Sequence, residues 1–200
     1  MRRKPIAISR TNRKLLFSCL LLFFLGYIPS SARSPLDQER ILGGIRHFFA
    51  PRDNLAEIDY ALLKQANFRI DLAAYVLTDR GLISALVDAA RRGVRIRIYL
   101  DPDQPAFKNS NRSFGFGDLL TEDKIEVRIK NGGRDLMHLK AYQVDGRILR
   151  TGAANFSYSG MRRQDNDLLV IESPRLAGQF ISRFNFLWTR QGSEPLKNLP

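Results

Sequence analysis

What most constrains this chain is an alternation of strand and helix patterns whose punctuation can be read residue by residue. Asp53 or Asn54 caps a helix running to about Ala66, with Leu55, Ile58, Leu62 and Leu63 on one face. Phe68 to Val76 then reads as a strand. Thr78 or Asp79 caps a second helix in which Leu82, Leu86 and Ala90 face a core, and Arg91-Arg92-Gly93 closes it with cations and a terminal glycine. In the next strand Val94, Ile96, Ile98 and Leu100 alternate with Arg95, Arg97 and Tyr99, so one face is buried and the other is polar or covered by aliphatic stems. Ile125 to Ile129 is a further short strand. Pro174 to about Gln191 is a closing helix with Leu176, Phe180, Ile181, Phe184, Leu187 and Trp188 as its core stripe. Strands separated by helices bury a sheet on its faces, so the expected fold is α/β, a layered α-β-α sandwich around a central mixed β-sheet.

The 200 residues leave room for one such domain and a leader. Residues 1–32 carry a basic start, an apolar run from Leu15 to Ile28 and then Pro29-Ser30-Ser31-Ala32, with small residues at both positions that determine cleavage. They predict an export signal cut after Ala32 and a periplasmic or secreted protein. The alternative is a membrane anchor over 15–28, but that run falls short of the roughly 20 residues a spanning helix needs. The expected organisation is a leader at 1–32, a linker at 33–44, a catalytic domain at 45–191 and a tail at 192–200. The leader holds the one cysteine, Cys19, so the remainder uses neither disulfides nor thiolate-bound metal and its core must carry the fold. The net charge of +12 includes six basic residues of the leader, which has no acids; removing it leaves 26 basic against 20 acidic residues, a net +6. Such an excess favours polyanionic partners, nucleic acid or anionic lipid headgroups, without choosing between them.

Between the strands, Asp101 to Gly117 reads as a long loop carrying Phe107, Lys108, Arg112, Phe114 and Phe116. Aromatics interleaved with cations suit base stacking or insertion into a lipid surface; an equal alternative folds the phenylalanines back into the core. Its Asp101-Pro102-Asp103 start is a turn former rather than a metal site, and with no His/Cys cluster no metal or cofactor is expected.

The chemistry concentrates after Met137. His138-Leu139-Lys140-Ala141-Tyr142-Gln143-Val144, an Asp145-Gly146 turn and Arg147-Ile148-Leu149-Arg150-Thr151 form a hairpin. Period two puts His138 and Lys140 on the same face, so an imidazole and an ammonium share a small site. Tyr142 has the same parity, and either lines the site or packs beneath the next element. In the following Gly152-Ala153-Ala154-Asn155-Phe156-Ser157, glycine permits close backbone approach and Asn155 offers an amide donor. Histidine, lysine and amide together suit a phosphate. Arg162 and Arg163 either extend a phosphate track or are a solvated pair.

The register of His138, Lys140, Asp145, Gly152, Asn155 and Ser157 resembles the HKD motif of the phospholipase D superfamily. The likeness extends over about residues 45 to 190, through His47-Phe48-Phe49-Ala50-Pro51, Leu72 to Leu77 and Arg92-Gly93-Val94 to Leu100-Asp101. It is strongest to the bacterial endonuclease type with a single motif, which works as a homodimer. The resemblance implies a phospholipase D-like fold and covalent catalysis. His138 is the nucleophile, Lys140 and Asn155 neutralise and orient the phosphate oxygens, and Asp165, with Asp167 as fallback, orients His138. Asp145, Gly152 and Ser157 support the site. One departure is Ala153, where the family usually has serine. Because an attacking histidine cannot also protonate the leaving group, a second acid is needed. It is either His47 or, the preferred reading, His138 of a second subunit across a two-fold axis.

Three functions compete. The first is a phosphodiesterase hydrolase acting as a non-specific endonuclease on DNA or RNA. The second is a phospholipase D acting on phosphatidylcholine or cardiolipin-type lipids, with Phe114 and Phe116 touching the membrane. The third is a catalytically weak binding module for nucleic acid or lipid, kept open by Ala153 and opposed by His138, Lys140 and Asn155.

Overall fold

The computed structural model describes residues 44–103, 105 and 115–196. The leader, nearly all of the linker, Lys108, Arg112 and Phe114, and residues 197–200 lie outside the described residues.

Eight strands form one mixed sheet: β1 (Ile45–Ala50), β2 (Arg69–Ala74), β3 (Arg95–Leu100), β4 (Ile125–Lys130), β5 (Lys140–Val144), β6 (Ile148–Thr151), β7 (Asn166–Glu172) and β8 (Ser193–Pro195). Their order is β1-β7-β6-β5-β2-β3-β4-β8. The β2–β3 and β3–β4 pairs are parallel and the other five antiparallel. Among the described residues five helices with complete bounds accompany them: α1 (Leu55–Lys64), α2 (Arg80–Arg91), α3 (Phe116–Thr121), α4 (Tyr158–Arg162) and α5 (Pro174–Thr189). The layered α/β expectation holds.

The caps stand close to where the sequence put them. Asn54 precedes α1, and the Asp79 side chain accepts the Leu82 amide at the start of α2. The larger core joins Leu55, Leu62, Leu72, Leu86, Ile96, Ile98 and Val170 on one side of the sheet. On the other, α5 lays Phe184, Leu187 and Trp188 against Ala73 and Tyr99. Tyr99 is therefore fully buried rather than on a polar face, and Arg97 lies over the Phe184 ring, 4.9 Å from its centroid. Such stacking lets a cation lie under an apolar helix, its charge met by the buried Asp71 at 2.7 Å.

Two expectations need correcting. The 101–117 segment does not remain a loop throughout: Phe116 starts α3 and is fully buried, so it cannot touch a substrate. The tail assigned to 192–200 begins with β8, an edge strand on β4. Three residues ending in proline carry no periodic signal.

Candidate active site

Parallel and antiparallel pairing bring the start of β5, the ends of β1, β2, β3 and β6, and the start of β7 to one edge of the sheet. The hairpin turn is at the opposite edge, where Asp145 (φ 54°) and Gly146 (φ 67°) both take the left-handed conformation within the three-residue connection between Val144 and Ile148. Beneath the hairpin, Arg150 donates to both oxygens of Asp59 on α1, each at 2.9 Å, and Tyr142 Oη donates to Asp59 Oδ1 at 2.8 Å. All three side chains are fully buried. Burial pushes the Asp59 carboxyl upward, and Arg150 and Tyr142 pull against that. The remaining Arg150 nitrogen donates to Lys140 O at 3.0 Å, tying the strand start to the helix layer.

At that edge His138 is exposed and Lys140 buried. Lys140 Nζ lies 3.1 Å from His138 Nδ1 and 3.2 Å from Nε2, and donates to His138 O at 2.9 Å. The Tyr75 ring, at the end of β2, packs on the imidazole with centroids 4.4 Å apart, and Lys140 Nζ sits 5.0 Å from the same ring. A backbone bond from Tyr75 N to Leu139 O, 2.9 Å, locks the two segments together. Burial lowers the Lys140 pKa. Asn155 is carried by the turn after β6, and its Oδ1 is buried without a hydrogen-bond partner among the described residues. An unsatisfied buried acceptor costs about 1–3 kcal/mol and persists at sites that do something besides fold. Ser157 supports the turn after Asn155: its side chain caps α4 by accepting the Gly160 amide at 3.1 Å.

The other expected residues divide. Gly152 passes so close to β7 that an added Cβ would meet Asp167 O at 2.5 Å, which is why the position is glycine. Asp145 stands at the far end of β5, where its carboxylate accepts the amides of Asn67, Phe68 and Arg69 at 2.8–2.9 Å; its support is architectural. Tyr142 is fully buried on Asp59, which removes it from the substrate surface. Arg162 donates to Asp79 Oδ2 (2.6 Å) and Tyr60 Oη (2.7 Å), so it braces α4 against α1 and α2 rather than extending a phosphate track. Burial and Asp79 push the Tyr60 hydroxyl up to about 12. Arg163 is exposed. Asp165 is exposed and makes no hydrogen bond to His138, because β6 lies between the start of β7 and β5, a separation of about 10 Å. The fallback, Asp167, binds His47 Nε2 at 2.9 Å and the Ala153 amide at 2.7 Å.

Sequence reasoning missed Tyr75 and the Asp59–Arg150 pair. Tyr75 closes an apolar strand, and nothing local separates it from a core aromatic. Asp59 offered a weak signal, an acid among Ile58, Leu62 and Leu63 on the buried side of α1. Asp101 is buried too: its oxygens accept the Met137 amide at 2.7 Å and the Asp103 amide at 2.9 Å, fixing the segment that leads into His138.

A mitochondrial cardiolipin hydrolase of Chlamydomonas reinhardtii is 27% identical over 131 residues, 66% of this chain and 55% of the relative. A phospholipase D of Rickettsia prowazekii is 28% identical over 138 residues, 68% of this chain and 63% of its own length. The chain thus spans well under the full length of both. Nuc, a phospholipase D family member from Salmonella typhimurium, superposes with a TM-score of 0.66 over 77% of this chain and 98% of its own at 22% identity, a likeness of fold. Residues 60–188 match the family described as cardiolipin synthase, PLD-like domain. They run from α1 to the end of α5 and include every residue of the His138 edge except the last strand residues of β1, and the protein belongs to this family of the phospholipase D superfamily.

Proposed function

We propose that this protein hydrolyses phosphodiesters through a phosphohistidine at His138. The observation that carries the reading is the His138–Lys140 contact of 3.1 Å at the exposed start of β5, which pairs a nucleophilic imidazole with a cation for the phosphate. A nitrogen of His138 attacks phosphorus as the P–O bond to the leaving alkoxide breaks. Lys140 and Asn155 stabilise the non-bridging oxygens, where negative charge is concentrated. The alkoxide takes a proton from a second imidazole. Water then attacks phosphorus, gives its proton to that imidazole, and the P–N bond breaks to restore His138.

The second imidazole is His138 of another copy of this chain, so the working unit is a homodimer with its site at the two-fold axis. What favours this over His47 is position. His47 lies on β1, three strands or about 14 Å from β5, with Nε2 engaged by Asp167. The preferred substrate is nucleic acid, gripped through phosphate without reading bases, in keeping with the basic balance of the chain. A second reading, phospholipid, is favoured by one feature: Leu136 and Leu139, flanking His138, are 51% and 38% exposed, an apolar rim suited to acyl chains. Export after removal of 1–32 belongs to the same proposal.

The test is hydrolysis of plasmid DNA, single-stranded RNA, and phosphatidylcholine and cardiolipin vesicles in EDTA, by the wild type and by His138→Ala. EDTA-resistant, His138-dependent cleavage of nucleic acid alone supports the nuclease. Cleavage of vesicles alone replaces the substrate and keeps the mechanism. Cleavage of neither, or cleavage that survives His138→Ala, ends the reading.

A further inference from the structure

The turn that carries Asn155 is held from β7 by Asp167, and from beneath by Arg150, whose Nη1 donates to Ala154 O at 3.4 Å. Asp167 O accepts the Ala154 amide at 3.2 Å, and Asp167 Oδ1 accepts the Ala153 amide at 2.7 Å. Gly152, at φ 144°, packs directly on the Asp167 carbonyl. One residue therefore grips three consecutive residues immediately before Asn155.

The second carboxylate oxygen of Asp167 is taken by His47 Nε2 at 2.9 Å. His47 is not opposite Asp167 in the ladder: it pairs with Leu169, while Phe49 pairs with Asp167, so the contact runs diagonally across one face of β1 and β7. The Phe49 ring packs on the imidazole, centroids 4.2 Å apart, and fixes its direction. The strands do not need this contact to pair, since the β1–β7 ladder runs continuously from Ile45 to Ala50. What it adds is a set orientation for a carboxylate whose other oxygen holds the turn. Burial works against the ionised form of Asp167, but the Ala153 amide and His47 outweigh it and keep the carboxyl below its ordinary range.

We infer that His47 and Asp167 are a positioning pair for the reaction: His47 fixes the Asp167 carboxylate, and Asp167 fixes the Gly152–Ala154 backbone so that Asn155 meets the phosphate at one distance and angle. The inference rests on the phosphodiesterase reading above. Neither residue touches the reacting atoms. Their effect arises because a displacement of about 1 Å in a group that stabilises the transition state costs on the order of 100-fold in rate.

The experiment is steady-state hydrolysis of bis(p-nitrophenyl) phosphate by the full chain and by Asp167→Ala, His47→Ala and His47→Gln, with amide hydrogen exchange followed at Ala153 and Ala154. Asp167→Ala lowers kcat by about 10- to 100-fold while KM moves by less than about 3-fold, because the turn contributes to the transition state more than to ground-state binding. His47→Ala gives a smaller fall in kcat, about 10-fold, and His47→Gln, whose side-chain N–H reaches the same oxygen, recovers most of it. Exchange at Ala153 accelerates in both alanine variants and not in His47→Gln. Wild-type kcat in the two alanine variants, with or without a lowered melting temperature, marks a structural ion pair and overturns the inference alone. Failure of His47→Gln to recover, or unchanged exchange at Ala153, does the same. A wild type that cleaves no diester, or whose cleavage survives His138→Ala, overturns the phosphodiesterase reading and this inference with it.

Discussion

At the start of β5, Lys140 is buried under an exposed histidine and reaches it at 3.1 Å; at the end of the same strand, Asp145 holds φ 54° and gathers three backbone amides at 2.8–2.9 Å. Both ends belong to one sequence motif, separated by a strand of about 17 Å. The first end leaves its polar groups under-used: among the described residues Asn155 Oδ1 has no partner, and Lys140 binds a carbonyl and an imidazole rather than a carboxylate. The second end is satisfied, with both oxygens of its carboxylate engaged. A fold keeps unsatisfied polarity where a substrate completes it, and satisfied polarity where the chain must turn. The spacing of such a motif therefore records a reaction at one end and a hairpin at the other.

The sharpest way to separate the two ends is His138→Ala. It removes the nucleophile from an exposed position, so kcat on any diester falls by about 10⁴-fold or more while the urea midpoint stays within error of the wild type. A residual rate within about tenfold of the wild type would place the chemistry elsewhere.

Arg150→Met attacks what lies between the ends. It leaves the Asp59 carboxylate fully buried without its cation, at a cost of about 3–5 kcal/mol of unfolding free energy by urea denaturation. The double replacement Arg150→Met with Asp59→Leu recovers much of that loss, because an apolar pair has no charge to desolvate. Activity falls with the single change, since Arg150 also holds the Lys140 carbonyl.

Lys140→Met lowers kcat by about 10²- to 10³-fold with little loss of stability, the signature of a cation that acts on the transition state. Its pH dependence has a definite sign. Burial lowers the Lys140 pKa, so the ammonium of the free enzyme is lost at a lower pH than for an exposed lysine, and the alkaline limb of kcat/KM against pH lies below the ordinary lysine range. Lys140→Arg, which stays charged, moves that limb upward or removes it. An alkaline limb unchanged in Lys140→Arg would assign it to another group.

How far this division was legible in the sequence follows from the range of the interactions. Caps, alternation and the Asp145-Gly146 turn act within a few residues, so α1, α2, β3 and the hairpin stand close to where their patterns place them. His138 and Lys140 share a site because they are two residues apart in an extended segment, and that too is local. What was missed is long-range. Tyr75 reaches His138 from β2, Arg150 finds Asp59 across 91 positions, and His47 finds Asp167 across 120. The family resemblance puts Asp165, or Asp167 as fallback, at His138, but the order β7-β6-β5 interposes a strand. Phe116 and Tyr142 each carry two readings, substrate surface or core, because aromatic residues suit both, and only burial selects the core.

The smallest predicted effect is the one that tests the second end. Asp145→Ala removes all three amide bonds and places a side chain that dislikes positive φ at a turn requiring it. Stability falls by about 1–3 kcal/mol, while kcat of the folded fraction stays within about threefold of the wild type. Asp145→Asn keeps one oxygen to accept and tolerates the left-handed conformation, so its loss is a fraction of that. Asp145→Gly tolerates the conformation but accepts nothing, and falls between the two. If the three variants rank Ala, Gly, Asn from least to most stable with kcat flat across them, Asp145 is a turn clamp. A kcat that fell along with stability would instead mean that the two ends of β5 are mechanically coupled, with the strand register transmitting a defect at the turn to the histidine about 17 Å away.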